Sequence, residues 1–223
     1  MPSGTLFVVA TPIGNLADIT LRALETLKSV DLIVAEDSRV TQKLLNHYNI
    51  AKKVISYHQH SKLVRVEGIV SDLEAGKNIA LVTDAGTPGI SDPGNFLVAK
   101  AVEKNISVVP IPGSSALGAL VSVAGIDLQR FLFLGFPPHK KGRETFFKEV
   151  AAAVYPVVYY ESPHRALKSL ASLQQFAGNK KVIVGRELTK QFEETFRGSA
   201  AEAEQYFITN PDKVRGEFAI IVY

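Results

Sequence analysis

Residues 79–94 read IALVTDAGTPGISDPG, and this stretch decides the fold class. The first four letters are a short apolar run without polar alternation, the pattern of a strand buried on both faces of a sheet. From Thr83 to Gly94 the chain then carries three glycines, two prolines and two aspartates. Glycine lets the backbone approach a neighbour closely and take positive φ, while proline fixes the loop so that little entropy is lost when something binds. Such a loop at the carboxyl end of a strand sits where open α/β sheets bind ligands. A rigid turn without a ligand is the alternative, and two similar loops weigh against it: TPIGN after the first strand and PIPGSS after the fifth.

Outward from this stretch, short runs rich in Val, Ile and Phe alternate with segments of helical spacing, the grammar of a parallel-rich α/β protein. Strands are expected over 5–10, 32–36, 54–57, 79–83 and 107–109. Between them, Leu21, Leu24 and Leu27 mark one apolar helix face, and Ile69, Val70 and Leu73 mark another that stops at Gly76, a C-terminal cap. After Pro110 the pattern changes. PIPGSS opens a small-residue helix (Ala116, Leu117, Ala119, Leu120, Val121), and new strands are expected over 131–134, 157–160, 181–185, 193–197 and 217–222. This predicts two α/β domains, 1–112 with the Gly/Pro-rich loops and 113–223. Ser199 and Glu202 have the spacing of a capping box at the start of the last helix.

Composition narrows the chemistry. The chain has 223 residues, 46% hydrophobic and 21% charged, with a mean hydropathy of +0.11, the balance of a folded protein and not of a disordered one. No apolar run approaches the ~18 residues that span a bilayer, and LFVVA is shorter than a signal core, so the chain is expected to be cytoplasmic and away from membranes. The absence of cysteine removes disulfides, thiolate nucleophiles and cysteine metal sites. A net charge of +3 allows an anionic partner without demanding one.

The glycines at 86, 89 and 94 do not form G-x-G-x-x-G, and no G-x-x-x-x-G-K-[ST] occurs, so neither dinucleotide nor P-loop phosphate binding is signalled. His58 and His60 form an H-x-H pair without a third ligand nearby and read as loop histidines; no metal is assigned. AEDSR ends the second strand with charged groups including Arg39, which suits a polar cleft wall; the alternative is a helix start with Ser38 as N-cap and Asp37 near the positive end of the dipole. HKKGR concentrates His139, Lys140, Lys141 and Arg143 in one loop, either a solvated turn or a set of phosphate contacts. ESPHR and GRELTK place Glu161, His164, Arg165, Arg186, Glu187 and Lys190 after strands of the second half, and both are expected to face one cleft.

Taken in order, VVATPIGNLADITLRALETL, AEDSRVTQKLLNHY, LVTDAGTPGISDPG, VPIPGSSALGALVSVAG, FLFLGFPPHKKGR, YYESPHR and GRELTKQFEE resemble the ribosomal RNA small subunit methyltransferase I family, of the tetrapyrrole methylase-like (class III) S-adenosylmethionine enzymes. The resemblance runs through essentially the whole chain. It implies two α/β domains with S-adenosylmethionine in the cleft between them, a homodimer, and 2′-O-ribose methylation of a cytidine, cytidine 1402, in 16S rRNA of the 30S subunit. Many members of that family continue past the last strand into a small basic helical region, and this chain is expected to lack it, ending at GEFAIIVY.

Carried over by motif, the resemblance implies cofactor contacts at Pro12, Ile13 and Gly14, at Ala85, Gly86, Thr87 and Ile90, at Ser115 and Ala116, and at Tyr160. Where the wider superfamily often has an aspartate after the central glycine, this chain has Thr87, so backbone contacts are expected there. The loop composition agrees, because a sulfonium zwitterion needs carbonyls, amides and small polar groups and no phosphate-gripping lysine. For the chemistry, Glu187 or Glu161 is expected to accept the proton of the ribose hydroxyl, with Arg186 and Lys190 stabilising developing charge. Arg39, Lys140, Lys141, Arg143, His164 and Arg165 are the expected RNA contacts. Two other readings remain: a methylase of the same superfamily acting on a tetrapyrrole or a protein side chain, and a non-catalytic RNA- or ribosome-binding module.

Overall fold

The computed structural model describes residues 2–57, 63–92 and 94–223. His58 and His60 therefore lie outside the described residues. The chain divides into two compact units, Met1–Ser115 and Ala116–Tyr223.

The first unit is a parallel sheet formed by β1 (Thr5–Val9), β2 (Leu32–Ala35), β3 (Val54–Ser56), β4 (Ile79–Val82) and β5 (Ser107–Ile111), in the order β3-β2-β4-β1-β5. The helices α1 (Leu21–Ser29), α2 (Ser38–His47), α3 (Leu63–Glu74) and α4 (Asn95–Glu103) connect successive strands. The direction of each crossover explains which face each helix covers. β1→β2 and β2→β3 run one way along the sheet, β3→β4 and β4→β5 the other, and right-handed crossovers of opposite direction lie on opposite faces. The core divides accordingly. Val9, Ile33, Ala35, Ala80 and Val82 pack with Ala23, Leu27 and Leu45 of α1 and α2. Leu6, Leu32, Val34, Ile79 and Leu81 pack with Val66, Ile69, Leu73, Leu97 and Ala101 of α3 and α4. Pro110 is tolerated inside β5 because that strand is at the sheet edge.

In the second unit, α5 (Ala116–Val123) precedes β6 (Leu132–Phe133), α6 (Arg143–Ala152), β7 (Val157–Glu161), α7 (Pro163–Ala177), β8 (Lys181–Arg186), β9 (Glu194–Ser199), α8 (Ala200–Thr209) and β10 (Phe218–Val222). The sheet order is β6-β7-β10-β8-β9. Only β6 and β7 are parallel; the last strand inserts between β7 and β8 and pairs antiparallel with both. One face buries Val157, Tyr159, Val184, Phe218 and Ile220 against Phe147, Leu170 and Phe207 of α6, α7 and α8. On the other face Leu120 of α5, fully buried, meets the backbone of Gly185: a Cβ there would stand 2.7 Å from Leu120 Cδ1.

The observed strands begin and end within two residues of the positions expected from sequence. Three expectations are corrected. The parallel-rich pattern describes the first sheet and not the second, because residues 187–193 joining β8 to β9 are too few for a crossover and force an antiparallel pair. Leu21 is 79% exposed; it is the first residue of α1, whose buried face is Ala23, Thr26 and Leu27. The junction falls at 115/116 and not 112/113, since Ser114 accepts a hydrogen bond from Thr87 and belongs to the first unit. The capping box at the start of α8 is present in both halves, Ser199 Oγ accepting from Glu202 N and the Glu202 carboxylate from Ser199 N.

The Leu120–Gly185 contact is testable. Gly185→Ala should lower stability by about 1–3 kcal/mol through overpacking, and should cost markedly less on a Leu120→Ala background, where the obstructing methyl is gone. Urea unfolding of the four proteins measures this; equal costs in both backgrounds would show that the contact is not what excludes a side chain.

Candidate functional site

In the first unit the chain leaves β4 toward the α3/α4 face, whereas it leaves both neighbours, β1 and β2, toward the α1/α2 face. Connections that diverge at the carboxyl ends of adjacent strands open a crevice there, the position at which open α/β sheets hold ligands. The Gly/Pro-rich segments meet at this edge. Thr11 and Gly86 exchange both backbone hydrogen bonds, 2.9 and 3.0 Å, which ties the loop after β1 to the loop after β4. Thr11 Oγ1 donates to the Thr83 carbonyl at 3.1 Å, and Thr87 Oγ1 donates to the Ser114 carbonyl at 3.1 Å, which brings in the loop after β5. On the other side Thr83 Oγ1 donates to Glu36 Oε2 at 2.6 Å, and Asp37 N donates to Asp84 Oδ1 at 2.9 Å. Four strand ends are thus cross-linked, by the side chains of Thr11 and Thr83 and the Ser114 carbonyl, which the sequence reading did not single out, and by Glu36, which lies in the stretch read as a polar cleft wall. The available signal was a threonine within two residues past the end of two strands.

Gly86 has φ +90°, a conformation that L side chains rarely adopt, with Ile13 and Ser114 as its nearest neighbours. Gly89 is also at positive φ, and a Cβ there would stand 2.6 Å from Asn95 Oδ1. Of the residues expected to bind cofactor, Gly14 and Ala85 are exposed, Pro12, Ile13, Thr87, Ile90 and Ser115 are half-buried, and Gly86 is buried in the loop between them. The segments 11–15, 83–90 and 110–116 contain no lysine, arginine or histidine, and Asp84 lies among them. That donor set fits a sulfonium zwitterion, which needs backbone amides and carbonyls and no cation, and does not fit a polyphosphate. Among the described residues, no group of three or more His, Asp or Glu could hold a metal.

Arg39 is exposed and is gripped by Asp37, with Nη2 to Oδ2 at 2.6 Å. The N-cap of α2 is Asp37, which accepts from Arg39 N at 2.8 Å. Ser38 is instead the first helical residue and accepts from Ser56 Oγ, so the expected cap is corrected by one position.

In the second unit, Tyr160 is half-buried. Its hydroxyl accepts from Leu117 N at 2.9 Å, holding the start of α5 where Ala116 is the first residue, and its ring lies edge-on to Phe133. Glu161 is fully buried, the last residue of β7 and not a loop residue. Its two oxygens hold Arg143 at 3.0 Å and Arg165 at 2.9 Å, and Oε1 also accepts from Ser162 N. Glu161 is therefore placed as a structural counter-ion, not as a base that a substrate reaches. Arg143 leaves the expected phosphate cluster for the same reason: it is 7% exposed, over the Phe147 ring, and donates to the Pro138 carbonyl while Arg165 donates to that of Pro137. The two guanidiniums clamp the proline segment from which His139, Lys140 and Lys141 project into solvent. His164 is exposed at the start of α7.

Arg186 is 6% exposed and paired with Glu194 at 3.2 Å. Burial raises the Glu194 carboxyl, but hydrogen bonds from Tyr206 and Lys213 and the charge of Arg186 outweigh it and hold the pKa below the ordinary carboxylate range. Arg186 thus acts on the hairpin base through Glu194. Glu187 and Lys190 form a separate pair at 2.8 Å, part-buried.

Comparison with known proteins adds to this geometry. Residues 5–204 match the family model of tetrapyrrole (corrin/porphyrin) methylases. The ribosomal RNA small subunit methyltransferase I of Synechocystis is 48% identical over 221 residues, 98% of this chain and 78% of that protein. The protein of the same name from Thermotoga maritima is 42% identical over 219 residues, 98% of both chains. Among solved structures, the cobalt precorrin-4 methyltransferase of cobalamin biosynthesis superposes with a TM-score of 0.72 at 18% identity, covering all of this chain and 97% of that one, a likeness of fold.

If Glu161 is the counter-ion of buried Arg143 and half-buried Arg165, Glu161→Gln should cost about 3–5 kcal/mol, because removing one partner strands the other charges. Lys140→Ala should stay within about 0.5 kcal/mol. A Glu161→Gln protein that unfolds in urea at the wild-type midpoint would contradict this placement.

Proposed function

Because the chain belongs to the tetrapyrrole (corrin/porphyrin) methylase family, and within it to the ribosomal RNA small subunit methyltransferase I family, we propose that it transfers a methyl group from S-adenosylmethionine to the ribose 2′-oxygen of a cytidine, cytidine 1402, in 16S rRNA of the 30S subunit. The observation that carries this reading is the cation-free, cross-linked set of loops at the carboxyl edge of the first sheet, in a chain matched over nearly its whole length by relatives of that name. The enzyme acts in the cytoplasm, as a homodimer and without a metal.

Bound S-adenosylmethionine supplies an electrophilic methyl group on a positively charged sulfur. Ile13, Gly14, Ala85 and Thr87 would offer it backbone groups, and Gly86 would let the backbone approach it closely without a side chain; Pro12, Ile90, Ser115, Ala116 and Tyr160 complete the proposed contacts. The rigid loops hold the ligand in one pose, and fixed alignment of acceptor and methyl donor is worth up to about 7–11 kcal/mol in such reactions. The ribose hydroxyl is a poor nucleophile at neutral pH and needs a proton acceptor. Glu187, with 17% of its side chain exposed against none for Glu161, is the proposed acceptor. Lys190 steadies the charge of that carboxylate and of the oxygen losing its proton. Lys140 and Lys141, exposed and unpaired among the described residues, are the proposed phosphate contacts.

Gly86→Ala introduces backbone strain of about 1–3 kcal/mol at a left-handed position and should weaken S-adenosylmethionine binding roughly tenfold, with the circular dichroism spectrum unchanged. Titration calorimetry giving wild-type affinity would remove the cofactor from these loops.

Glu187→Gln and Lys190→Ala should each lower single-turnover methylation of 30S subunits at least about tenfold, toward the ~10² to 10⁴ typical of proton-transfer groups, with cofactor affinity nearly intact. Nucleoside mass spectrometry should place the methyl on ribose. A methyl on the base, or both variants turning over at the wild-type rate, would refute these roles.

A further inference from the structure

The connection between β8 and β9 carries backbone strain that the fold alone does not require. Glu187 and Thr189 have φ of +48° and +67°, and for a β-branched residue such as Thr189 this is a genuine outlier. The Thr189 hydroxyl is buried without a hydrogen-bond partner. Strained residues cost free energy and persist where the surroundings over-determine them, which is the usual state of ligand-contacting segments.

The surroundings here do over-determine the turn. Glu187 lies so close over Gly216 that a Cβ at 216 would stand 1.6 Å from Oε1, and its carboxylate holds Lys190. Lys190 N donates to the Glu187 carbonyl at 3.0 Å, Glu193 N to the Lys190 carbonyl at 3.1 Å, and Thr189 N to the Glu193 carboxylate. Leu188 is buried beside Gly185, and the Arg186–Glu194 pair closes the base.

What this rigid turn presents is Phe192, 65% exposed at its tip. The other exposed phenylalanines have partners: Phe96 lies under Lys100 at 5.7 Å, and Phe136 packs against Tyr160 at 5.5 Å. Phe192 has no ring or cation partner among the described residues. The charged residues of the turn itself show no excess of cations, Lys190 pairing with Glu187 at 2.8 Å and the Glu193 carboxylate accepting from Thr189 N. A site that recognised phosphate would carry an excess of cations; a flat apolar ring on a rigid support among balanced charges suits the face of an unpaired nucleobase, the usual target of exposed aromatics in RNA recognition.

We infer that Phe192 is a base-stacking residue that holds an unpaired nucleotide of the RNA substrate, an inference that rests on the RNA reading given above. The preformed turn loses little entropy on binding. The contact gains from stacking and not from counter-ion release, so it leaves a signature distinct from that of Lys140 and Lys141.

The test is equilibrium binding of the full chain to isolated 30S subunits over a range of salt concentrations. Phe192→Ala should weaken binding about 5- to 100-fold, with the slope of log affinity against log salt unchanged. Lys140→Ala with Lys141→Ala should instead reduce that slope, by roughly 0.7 to 0.9 per contact. Phe192→Tyr should restore affinity and Phe192→Leu should not, which separates stacking from simple apolar contact. Wild-type affinity in Phe192→Ala, full rescue by leucine, or a changed oligomeric state in sedimentation with RNA affinity intact would each overturn the inference while leaving the methyltransferase reading standing. Failure of the wild-type protein to bind 30S subunits would overturn both.

Discussion

The carboxyl end of β4 is the constraint on which the rest of the first unit depends. With the order β3-β2-β4-β1-β5, three of the four crossovers skip a strand, and the chain departs from β4 to one face of the sheet while its two neighbours depart to the other. Backbone groups at such an edge have no ladder to join, and a divergent edge left open would expose them to water without fixed geometry. The protein satisfies them with one another. The Thr11–Gly86 bridge and the threonine hydroxyls of residues 11, 83 and 87 convert four strand ends into a single hydrogen-bonded rim. Glycine at 86 is the condition for this arrangement, because the bridge requires a positive φ at that point.

The second unit solves a different problem, the burial of charge. Glu161 pairs with buried Arg143 and half-buried Arg165, and a buried ion pair rarely adds stability over apolar packing of equal volume. Its consequence is geometric. The guanidiniums reach the carbonyls of Pro137 and Pro138, groups that no secondary structure would otherwise engage, and so fix the segment whose next residues are His139, Lys140 and Lys141. Two charged residues spent in the interior thereby orient three at the surface.

Much of this was legible in the letters. Strands announce themselves because residues buried on both faces must be apolar throughout, and IALV, LIVA and FAIIV contain nothing else. The Gly/Pro loops were legible because positive φ and close approach restrict residue type. Pairing order was not: nothing in FAIIV states that it will lie between β7 and β8, since insertion of a last strand depends on non-local complementarity. Nor do charged residues disclose their burial. Arg143 and Lys140 belong to the same basic pentapeptide, and only the helix start at Arg143 turns one inward and leaves the other in water.

The two units therefore carry opposite polar designs, and the contrast bears on what each can bind. The segments 11–15, 83–90 and 110–116 of the first unit's rim have no cation, and the nearby Arg39 is held by Asp37, so a ligand on those segments must be satisfied by amides, carbonyls and hydroxyls, a requirement that a zwitterionic sulfonium meets and a polyphosphate does not. The second unit concentrates arginine and lysine in pairs whose carboxylates are drawn from the same short segments, as in Glu187 with Lys190 and Arg186 with Glu194. Paired charges attract a polyanion weakly at long range, and under the function proposed above the exposed lysines at 140 and 141 contribute to the electrostatic share of RNA binding. Discrimination among nucleotides must then come from groups that are rigid and locally uncharged. We infer that a strained turn held by several hydrogen bonds and ion pairs, with the exposed ring of Phe192 two residues before β9, is such a group.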